Sequence, residues 1–371
     1  MIRVGVILGY RIAYNYIKQL EAWEKGEAHE KLPYGYYRID EAEAVIKYAS
    51  FSKLERKLLP CSFLQKLYMY LVKFPVMLAT CDVIWTQFDK DALFAALLRR
   101  IPLLNKLFAI QISNFIWLID NSRQYSRTKI KLISWLLGKI DRVVSFSCEL
   151  NKFIEVFGCD EKKLKYIPFG INLDAYSREL TSRIPAGAIS VTRGFILSVG
   201  TDMHRDMGML RRLTKALPGY EFVLATSNKD FLNALYETNT FALKASLPEM
   251  RWLYCNCTCV IIPLKYNEHV SGCTTVLEAA AMRKPVVISD VPGIRNYVLD
   301  GVTGIIVPVN DAEAFRNAII KLGNDPEYSR IMGENAYNFV KGRFTSENFA
   351  RAHLELTKEI LMGGAGHEGR N

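Results

Sequence analysis

The chain has 371 residues, of which 50% are hydrophobic and 23% are charged. This composition is typical of a folded protein and excludes a disordered chain, and the length favours two domains. The formal net charge of +10 indicates an anionic partner such as a nucleotide, a phospholipid surface or a nucleic acid.

No membrane-spanning helix and no secretory signal is expected. The apolar runs of the sequence fall short of the ~20 residues that a transmembrane helix needs. The apolar start at residues 1–9 is too short for a signal peptide and lacks a small-residue cleavage site. It is typical instead of the first buried strand of a fold.

Eight cysteines are present, and Cys255, Cys257 and Cys259 alternate along the chain. Alternation by two is typical of one face of a strand, so we interpret these residues as buried free thiols. The alternative is a zinc site, which usually needs C-x-x-C pairs. Reduced cysteines indicate a cytoplasmic location.

Short apolar runs alternate with helical segments throughout the chain, which predicts an α/β fold with two doubly wound parallel sheets. Strands of the first half are predicted at residues 4–8, 83–85, 108–112, 142–147 and 165–172. Strands of the second half are predicted at residues 195–200, 222–226, 260–263, 286–289 and 304–308. A last helix is predicted at 349–362, followed by a frayed tail at 363–367.

A polar, irregular stretch between the two sets of strands divides the chain. We predict an N-terminal Rossmann-like domain at residues 1–173, a linker at 174–193 and a C-terminal domain at 194–347. The helix at 348–362 is expected to pack back on the N-terminal domain. Ligands of such sheets bind beyond the carboxyl ends of the strands, so the loops that follow strands are the candidate binding loops.

The most informative stretch is SGCTTVLEAAAMRKPVVISD at residues 271–290, a small-residue turn followed by a helix and a buried strand. Free backbone N–H groups and the dipole at the start of such a helix favour an anion. Glu278 lies about one turn along the same helix face. A diphosphate at the helix tip and a ribose beside this carboxylate would account for the pattern, and a helix cap without a ligand is the alternative. The predicted ligand-binding residues of this stretch are Ser271, Gly272, Thr274, Thr275 and Glu278.

The chain resembles the retaining GT-B glycosyltransferases of the group 1 family (family 4 type). The resemblance is strongest over residues 260–322 and extends to DRVVSFSCELNKF, KYIPFGINLDAY and FILSVGTDMHRDMGML. It implies two Rossmann-like domains facing across a cleft, with the acceptor side at residues 1–173 and the nucleotide-sugar donor at 194–347. The implied reaction moves a sugar, with retention, from a nucleotide-diphosphate sugar to a glycan or lipid-linked acceptor, as in polysaccharide biosynthesis.

No cofactor is implied beyond the nucleotide sugar itself. We find no paired-Asp motif for Mg²⁺ near the end of a predicted strand, so we expect transfer without a metal.

Members of the family usually carry two glutamates with seven residues between them. Glu278 matches the second, which binds the ribose hydroxyls in the family, whereas the first falls on Val270. Glu268 or His269 is predicted to serve in its place as a catalytic residue. A merely solvated loop is the alternative.

The family also places an arginine and a lysine after the loop that begins at Gly200, where they neutralise the diphosphate. Thr201 and Asp206 stand at these positions here, and Arg205 is the predicted substitute, catalytic and donor-binding. A guanidinium can bind a diphosphate with two hydrogen bonds and needs no change of protonation. A solvated surface arginine is the alternative.

In the first domain, Gly9 matches the family's glycine-rich loop after the first strand and is followed by Tyr10, so both are predicted to bind the donor. Many members carry a histidine after a central strand, and residues 110–117 hold none. A catalytically impaired relative that only binds nucleotide sugars is therefore an open alternative. A sugar-nucleotide epimerase and a nucleic-acid-binding protein are two more distant ones.

Residues 127–137 read as a basic amphipathic helix, of the kind that lies on anionic membrane surfaces. Such a contact would hold the protein at the inner face of the membrane, beside a lipid-linked acceptor. A helix that packs in the core with a solvated basic rim is the alternative.

Overall fold

The computed structural model describes residues 1–101, 109–177, 182–185, 194–234 and 236–365. The chain divides into two compact units. The first comprises Met1–Glu21, Lys31–Pro168 and the chain from Ser346 onward, and the second comprises Ala22–Glu30 and Phe169–Thr345. Residues 178–181 and 186–193 of the predicted linker, and 366–367 of the predicted tail, lie outside the described residues.

The first unit contains a six-stranded sheet in the order β2-β1-β3-β4-β5-β6, and all five strand pairs are parallel. Its strands are β1 Ile2–Ile7, β2 Ala44–Tyr48, β3 Val83–Thr86, β4 Ile110–Asn114, β5 Arg142–Ser145 and β6 Leu164–Tyr166. The helices in this part of the chain are α1 Gly9–Tyr14, α2 Tyr16–Glu24, α3 Lys53–Leu58, α4 Ser62–Tyr68, α5 Phe74–Thr80, α6 Asp89–Leu98, α7 Leu118–Ser122, α8 Arg127–Leu137 and α9 Asn151–Phe157.

The second unit contains a six-stranded sheet in the order β12-β11-β10-β7-β8-β9, again with parallel pairs. Its strands are β7 Ile196–Val199, β8 Phe222–Ala225, β9 Thr240–Leu243, β10 Cys259–Ile262, β11 Val286–Ser289 and β12 Gly304–Val307. The helices that follow in the chain are α10 Met207–Ala216, α11 Lys229–Leu232, α12 Leu247–Asn256, α13 Cys273–Ala281, α14 Ala312–Asn324, α15 Pro326–Lys341 and α16 Ser346–Ala365.

Helix α16 belongs to the first unit although it follows the whole second sheet in the sequence. The indole N–H of Trp85 on β3 donates a hydrogen bond to the Thr357 hydroxyl at 3.0 Å, and both side chains are fully buried. The Asn114 side chain on β4 lies 3.1 Å from Nε2 of His353. Buried polar contacts of this kind fix the helix in one position on the sheet.

The prediction of two parallel, doubly wound α/β sheets is confirmed. In the second sheet β7 and β10 are neighbours. The strands β8 and β9 lie on one side of this pair, and β11 and β12 lie on the other. The loops that leave the carboxyl ends of β7 and β10 diverge at this reversal point of the chain order and open a crevice, which is where ligands of doubly wound sheets bind.

Two strands, β2 and β9, are missing from the sequence prediction. Both lie at an edge of their sheet, and most of their side chains are only half-buried. An edge strand carries a weaker apolar run than a central one, so its sequence signal is lost beside the neighbouring loops.

The interpretation of the alternating cysteines as one strand face is wrong. Cys255 lies in α12, Cys257 follows the end of that helix, and only Cys259 lies in β10. A capping box formed by Ser246 and Glu249 starts the helix, and the helix runs through the alternating stretch to Asn256. All three cysteines are free thiols, and Cys257 and Cys259 are buried.

Among the described residues, no helix has both the length and the apolarity of a membrane span.

Helix α15 packs closely against the end of α13, because Gly333 leaves room for the backbone of Arg283. A Cβ at Gly333 would lie 2.6 Å from the carbonyl carbon of Arg283. Arg283 has a positive φ of 53°, and its Nε donates to the carboxylate of Glu334, the next residue of α15, at 2.9 Å. The position of α13 therefore depends on this contact.

Replacing Gly333 by alanine is expected to lower the free energy of unfolding by roughly 1–3 kcal/mol, because the added methyl group must displace backbone. Urea unfolding followed by circular dichroism measures the change. Gly342→Ala, just beyond the same helix, is the control, since a Cβ there meets nothing within 4 Å. Equal stability of the two variants would contradict this account of the α13–α15 contact.

Candidate functional site

An open pocket of about 430 Å³ lies at the reversal point of the second sheet. Its walls come from the segments that follow β7, β8 and β9 and from the start of α13, all at the carboxyl ends of the strands. The lining residues include Tyr176, Gly200, Thr201, Asp202, Arg205, Thr226, Lys244, Gly272, Thr274, Thr275 and Glu278.

Arg205 and Lys244 are cationic residues that line this pocket. Lys244 is exposed, whereas Arg205 is only 7% exposed. Its Nη2 donates to the Thr275 hydroxyl at 2.9 Å, whereas Nε and Nη1 have no hydrogen-bond partner among the described residues. Burial lowers the pKa of Arg205, but a guanidinium stays protonated at any physiological pH. The pocket therefore presents a desolvated cation whose free N–H groups an anion would satisfy.

Two glycines lie beside this guanidinium, and Gly200 makes space for it. Gly200 has a φ of 141°, and a Cβ there would lie 2.6 Å from Nη2 of Arg205. Gly272 has a φ of 86°, and its Cβ would lie 2.9 Å from Ile262 and 3.5 Å from Nη1 of Arg205. A side chain is strained at φ values this large, so both positions favour glycine.

Gly272 is also the N-cap of α13, and no side chain caps this helix among the described residues. Thr274 and Thr275 form its first turn and line the pocket. The positive end of the helix dipole thus points to the same space as Arg205.

Glu278 is held one turn further along α13 by two buried tyrosines. The Tyr176 hydroxyl donates to Oε1 at 2.6 Å, and the Tyr254 hydroxyl donates to Oε2 at 2.8 Å. Burial raises the pKa of both phenols well above the ordinary value, so they remain donors. A carboxylate has about four acceptor positions, so the pair orients Glu278 and still leaves it able to accept hydroxyl groups of a ligand.

The predicted residues before Gly272 lie elsewhere than expected. Ser271 is 2% exposed, and its hydroxyl donates to Oδ2 of Asp202 at 2.7 Å. His269 lies 3.3 Å from the same oxygen, and Glu268 accepts from the Tyr266 hydroxyl at 3.3 Å. None of the three predicted side chains is among the residues that line the pocket.

Asp202, the partner of Ser271 and His269, lines the pocket instead of these side chains. It also accepts from the backbone N–H of His204 at 2.8 Å. Burial alone would raise the pKa of Asp202, but the hydrogen bonds from His269, His204 and Ser271 outweigh burial and hold it well below its usual range. Asp202 is therefore an ionised carboxylate of fixed orientation.

The remaining predicted residues belong to the other unit. Gly9 opens α1 with a φ of 70°, and the Tyr10 hydroxyl accepts from Nε of Arg11 at 2.9 Å. The pocket of the second unit therefore brings together six of the predicted residues, which are Gly200, Arg205, Gly272, Thr274, Thr275 and Glu278.

Sequence reasoning missed Tyr176, Tyr254 and Asp202 as site residues. Tyr176 ends the stretch KYIPFGINLDAY, which already stood out as a motif, so a signal for it was present. Tyr254 lies in α12 and reaches Glu278 only through the tertiary fold.

The chain is similar to known transferases in sequence. A sequence model of the family described as "Glycosyl transferases group 1" matches residues 229–339. The lipopolysaccharide core biosynthesis mannosyltransferase LpcC of Rhizobium leguminosarum is 34% identical over 246 residues, which cover 61% of this chain and 67% of LpcC. The D-rhamnosyltransferase WbpZ of Pseudomonas aeruginosa is 26% identical over 231 residues, which cover 58% of each protein. The alignment thus spans less than two thirds of WbpZ.

Solved structures match over almost the whole chain. HepE of Anabaena, in complex with UDP, has a TM-score of 0.70 and 14% identity over 97% of this chain and 100% of HepE. Sucrose-phosphate synthase of Thermosynechococcus elongatus has a TM-score of 0.66 and 16% identity over 98% of this chain and 100% of the other. These matches show the GT-B fold with its two Rossmann-like domains, and the sequence relatives show that the chain belongs to the group 1 glycosyltransferases.

Proposed function

We propose that the protein is a retaining glycosyltransferase that moves a sugar from a nucleotide-diphosphate sugar to a glycan or lipid-linked acceptor. One observation carries the proposal. A single face of α13 holds a site for an anion and a carboxylate that can accept hydrogen bonds from hydroxyl groups. Arg205 and the helix start suit a diphosphate, and Glu278 suits the two ribose hydroxyls one helical turn away.

The residues of the pocket suit a reaction governed by electrostatics. When the bond from the anomeric carbon to the diphosphate breaks, negative charge grows on the leaving oxygen. Arg205 is already desolvated beside that charge and stabilises it without rearrangement. The acceptor hydroxyl attacks from the same face, forms the new bond to the anomeric carbon, and loses its proton to the leaving phosphate. This scheme needs no protein nucleophile.

We propose that transfer needs no metal, because Arg205 and the helix dipole supply the positive charge at the diphosphate. Of the pocket carboxylates, Asp202 is engaged by Ser271 and a backbone N–H, and Glu278 is engaged by two tyrosines.

The relatives support a lipid-linked glycan as acceptor and a hexose as donor sugar. LpcC acts in lipopolysaccharide core biosynthesis as a mannosyltransferase, and WbpZ is a D-rhamnosyltransferase. We therefore propose mannose or a related deoxyhexose as the transferred sugar.

The proposed membrane contact through residues 127–137 has partial support. Leu132 and Trp135 of α8 are exposed beside basic residues, whereas Ile133, Leu136 and Leu137 pack in the core of the first unit. Location in the cytoplasm, at the inner face of a membrane, stays a prediction.

A binding-only relative remains the second candidate, because Val270 is buried where the family has its first glutamate. Membership in a glycosyltransferase family argues against the epimerase and nucleic-acid-binding alternatives. Transfer or hydrolysis of the donor distinguishes the active glycosyltransferase from the binding-only relative, since both bind the donor.

Nucleotide-diphosphate sugars are expected to raise the melting temperature of the protein by mass action, and inorganic phosphate at the same concentration is not. A thermal-shift panel of UDP-, GDP- and dTDP-linked sugars identifies the donor. With that donor, transfer or hydrolysis is expected to persist in EDTA, and proton NMR of the product is expected to show the anomeric configuration of the donor. Binding without any turnover would favour the binding-only relative, and an inverted product would refute retention.

Arg205→Met is expected to weaken binding of the nucleoside diphosphate about 10- to 100-fold, the effect of losing charge-assisted hydrogen bonds. The free energy of unfolding is expected to stay equal or to rise, because an apolar side chain replaces a buried charge that has one hydrogen-bond partner. Calorimetry and urea unfolding measure the two effects.

Arg251→Met is the matched control, since Arg251 is equally buried but its Nε donates to the carbonyl of Ala175 at 2.7 Å. This variant is expected to lose stability instead. A large loss of stability in Arg205→Met, with unchanged affinity, would make Arg205 a structural residue.

Glu278→Gln is expected to weaken binding of the nucleoside diphosphate by roughly 1–3 kcal/mol, because a charged acceptor for the ribose hydroxyls is lost. Binding of inorganic pyrophosphate, which has no ribose, is expected to be unchanged. Calorimetry with both ligands makes the comparison. An equal effect on both ligands, or on neither, would remove Glu278 from the ribose site.

A further inference from the structure

One helical segment of the first unit presents apolar side chains to solvent. Helix α4, a π-helical turn at Met69–Lys73 and α5 follow one another without a break, and α3 precedes them. Residues 54–76, which we call the 54–76 face, hold eight of the 21 large apolar side chains that are exposed among the described residues. Six lie on the continuous helix, namely Phe63, Leu64, Leu67, Leu71, Val72 and Val76.

Packing within the unit does not explain these side chains. The same helix buries Met69, Phe74 and Leu78 in a core cluster on its other side. A surface helix normally turns one apolar stripe to the core and a polar face to water, whereas Phe63 is 69% and Leu71 is 63% exposed. Single exposed apolar residues are common, but a group of this size marks an interaction surface.

The charges around the 54–76 face are mostly positive. Residues 53–73 contain five basic side chains and one acidic side chain, Glu55. Lys53, Lys57 and Lys66 are exposed, whereas Glu55 is paired with Lys73 at 2.8 Å. Burial would raise the pKa of Glu55, but its hydrogen bonds to Lys73 and Tyr68 lower the pKa to about 2. Lys73 therefore compensates the negative charge of Glu55, which then does not repel an anionic surface.

We propose that the 54–76 face docks on an anionic phospholipid bilayer, with its apolar side chains among the upper acyl chains and its lysines at the lipid phosphates. Apolar burial combined with basic charge is the pattern of interfacial helices. A second copy of the chain fits less well, because two faces of the same positive charge repel. The inference concerns binding alone and does not rest on the proposed transfer reaction.

Co-sedimentation of the full chain with vesicles tests the proposal. Binding to vesicles that contain phosphatidylglycerol is expected to be tenfold or more tighter than to pure phosphatidylcholine, and to weaken with salt. L67E/L71E is expected to lower binding to the anionic vesicles about tenfold or more. K57Q/K66Q keeps the apolar side chains and removes two positive charges. It is expected to bind the anionic vesicles more weakly and to bind pure phosphatidylcholine vesicles as the unmodified protein does.

The matched control is L299E/V302E in the second unit, which adds the same two charges at side chains that are 43% and 48% exposed. Its binding is expected to equal that of the unmodified protein. Melting temperatures and binding of the nucleoside diphosphate confirm that each variant is folded.

Any of four outcomes would overturn the proposal. The first is no binding to anionic vesicles, and the second is equal loss in L67E/L71E and the control. The third is loss only in L132E/W135E of α8, which would assign the membrane contact to residues 127–137. A dimer in lipid-free solution that L67E/L71E dissociates would also count against it, by making a second copy the occupant.

Discussion

The buried, incompletely paired guanidinium of Arg205 is the feature on which the candidate site depends. Taking a charge out of water costs several kcal/mol unless partners replace the water, and here one hydrogen bond to Thr275 does so only in part. Backbone hydrogen bonds tie the loop that carries Arg205 to the segment that follows β10, from the N–H of Asp206 to Pro263 at 2.9 Å and from the N–H of Lys265 to His204 at 2.8 Å. A diphosphate would complete the set of partners that the fold leaves open.

Helix α13 sets the distance between the two halves of the proposed donor site. Thr275, which anchors Arg205, and Glu278 lie three residues apart, about 4.5 Å along the helix axis and on one face. The helix is fixed at its far end by the Gly333 contact and along its length by Tyr176 and Tyr254. A rigid helix therefore keeps the anion site and the proposed site for the ribose hydroxyls at a constant distance, which is how a scaffold preorganises binding.

Local sequence patterns were enough to predict the central strands, because a strand that is buried on both faces appears in the sequence as a continuous apolar run. They also predicted Gly272 and Glu278 as site residues, and both line the pocket at the start of α13. They could not assign Ser271, Glu268 and His269, because the direction of a loop side chain depends on what the fold brings beside it. Tyr176 lies 102 residues before Glu278 in the chain. No periodicity connects two such positions, so only the tertiary structure reveals the pair.

Ser271 acts on the pocket indirectly, through Asp202. Asp202 is only three residues before Arg205, and an ion pair between them would satisfy the guanidinium without any ligand. Instead the carboxylate of Asp202 is turned to the Ser271 hydroxyl at 2.7 Å and to the N–H of His204 at 2.8 Å. These bonds orient the carboxylate, and Nε and Nη1 of Arg205 have no hydrogen-bond partner among the described residues. The negative charge of Asp202 still favours the protonated guanidinium and opposes the lowering of its pKa by burial. The small-residue turn before α13 therefore contributes in two ways, since Gly272 supplies the positive φ at the helix start and Ser271 orients the carboxylate of Asp202.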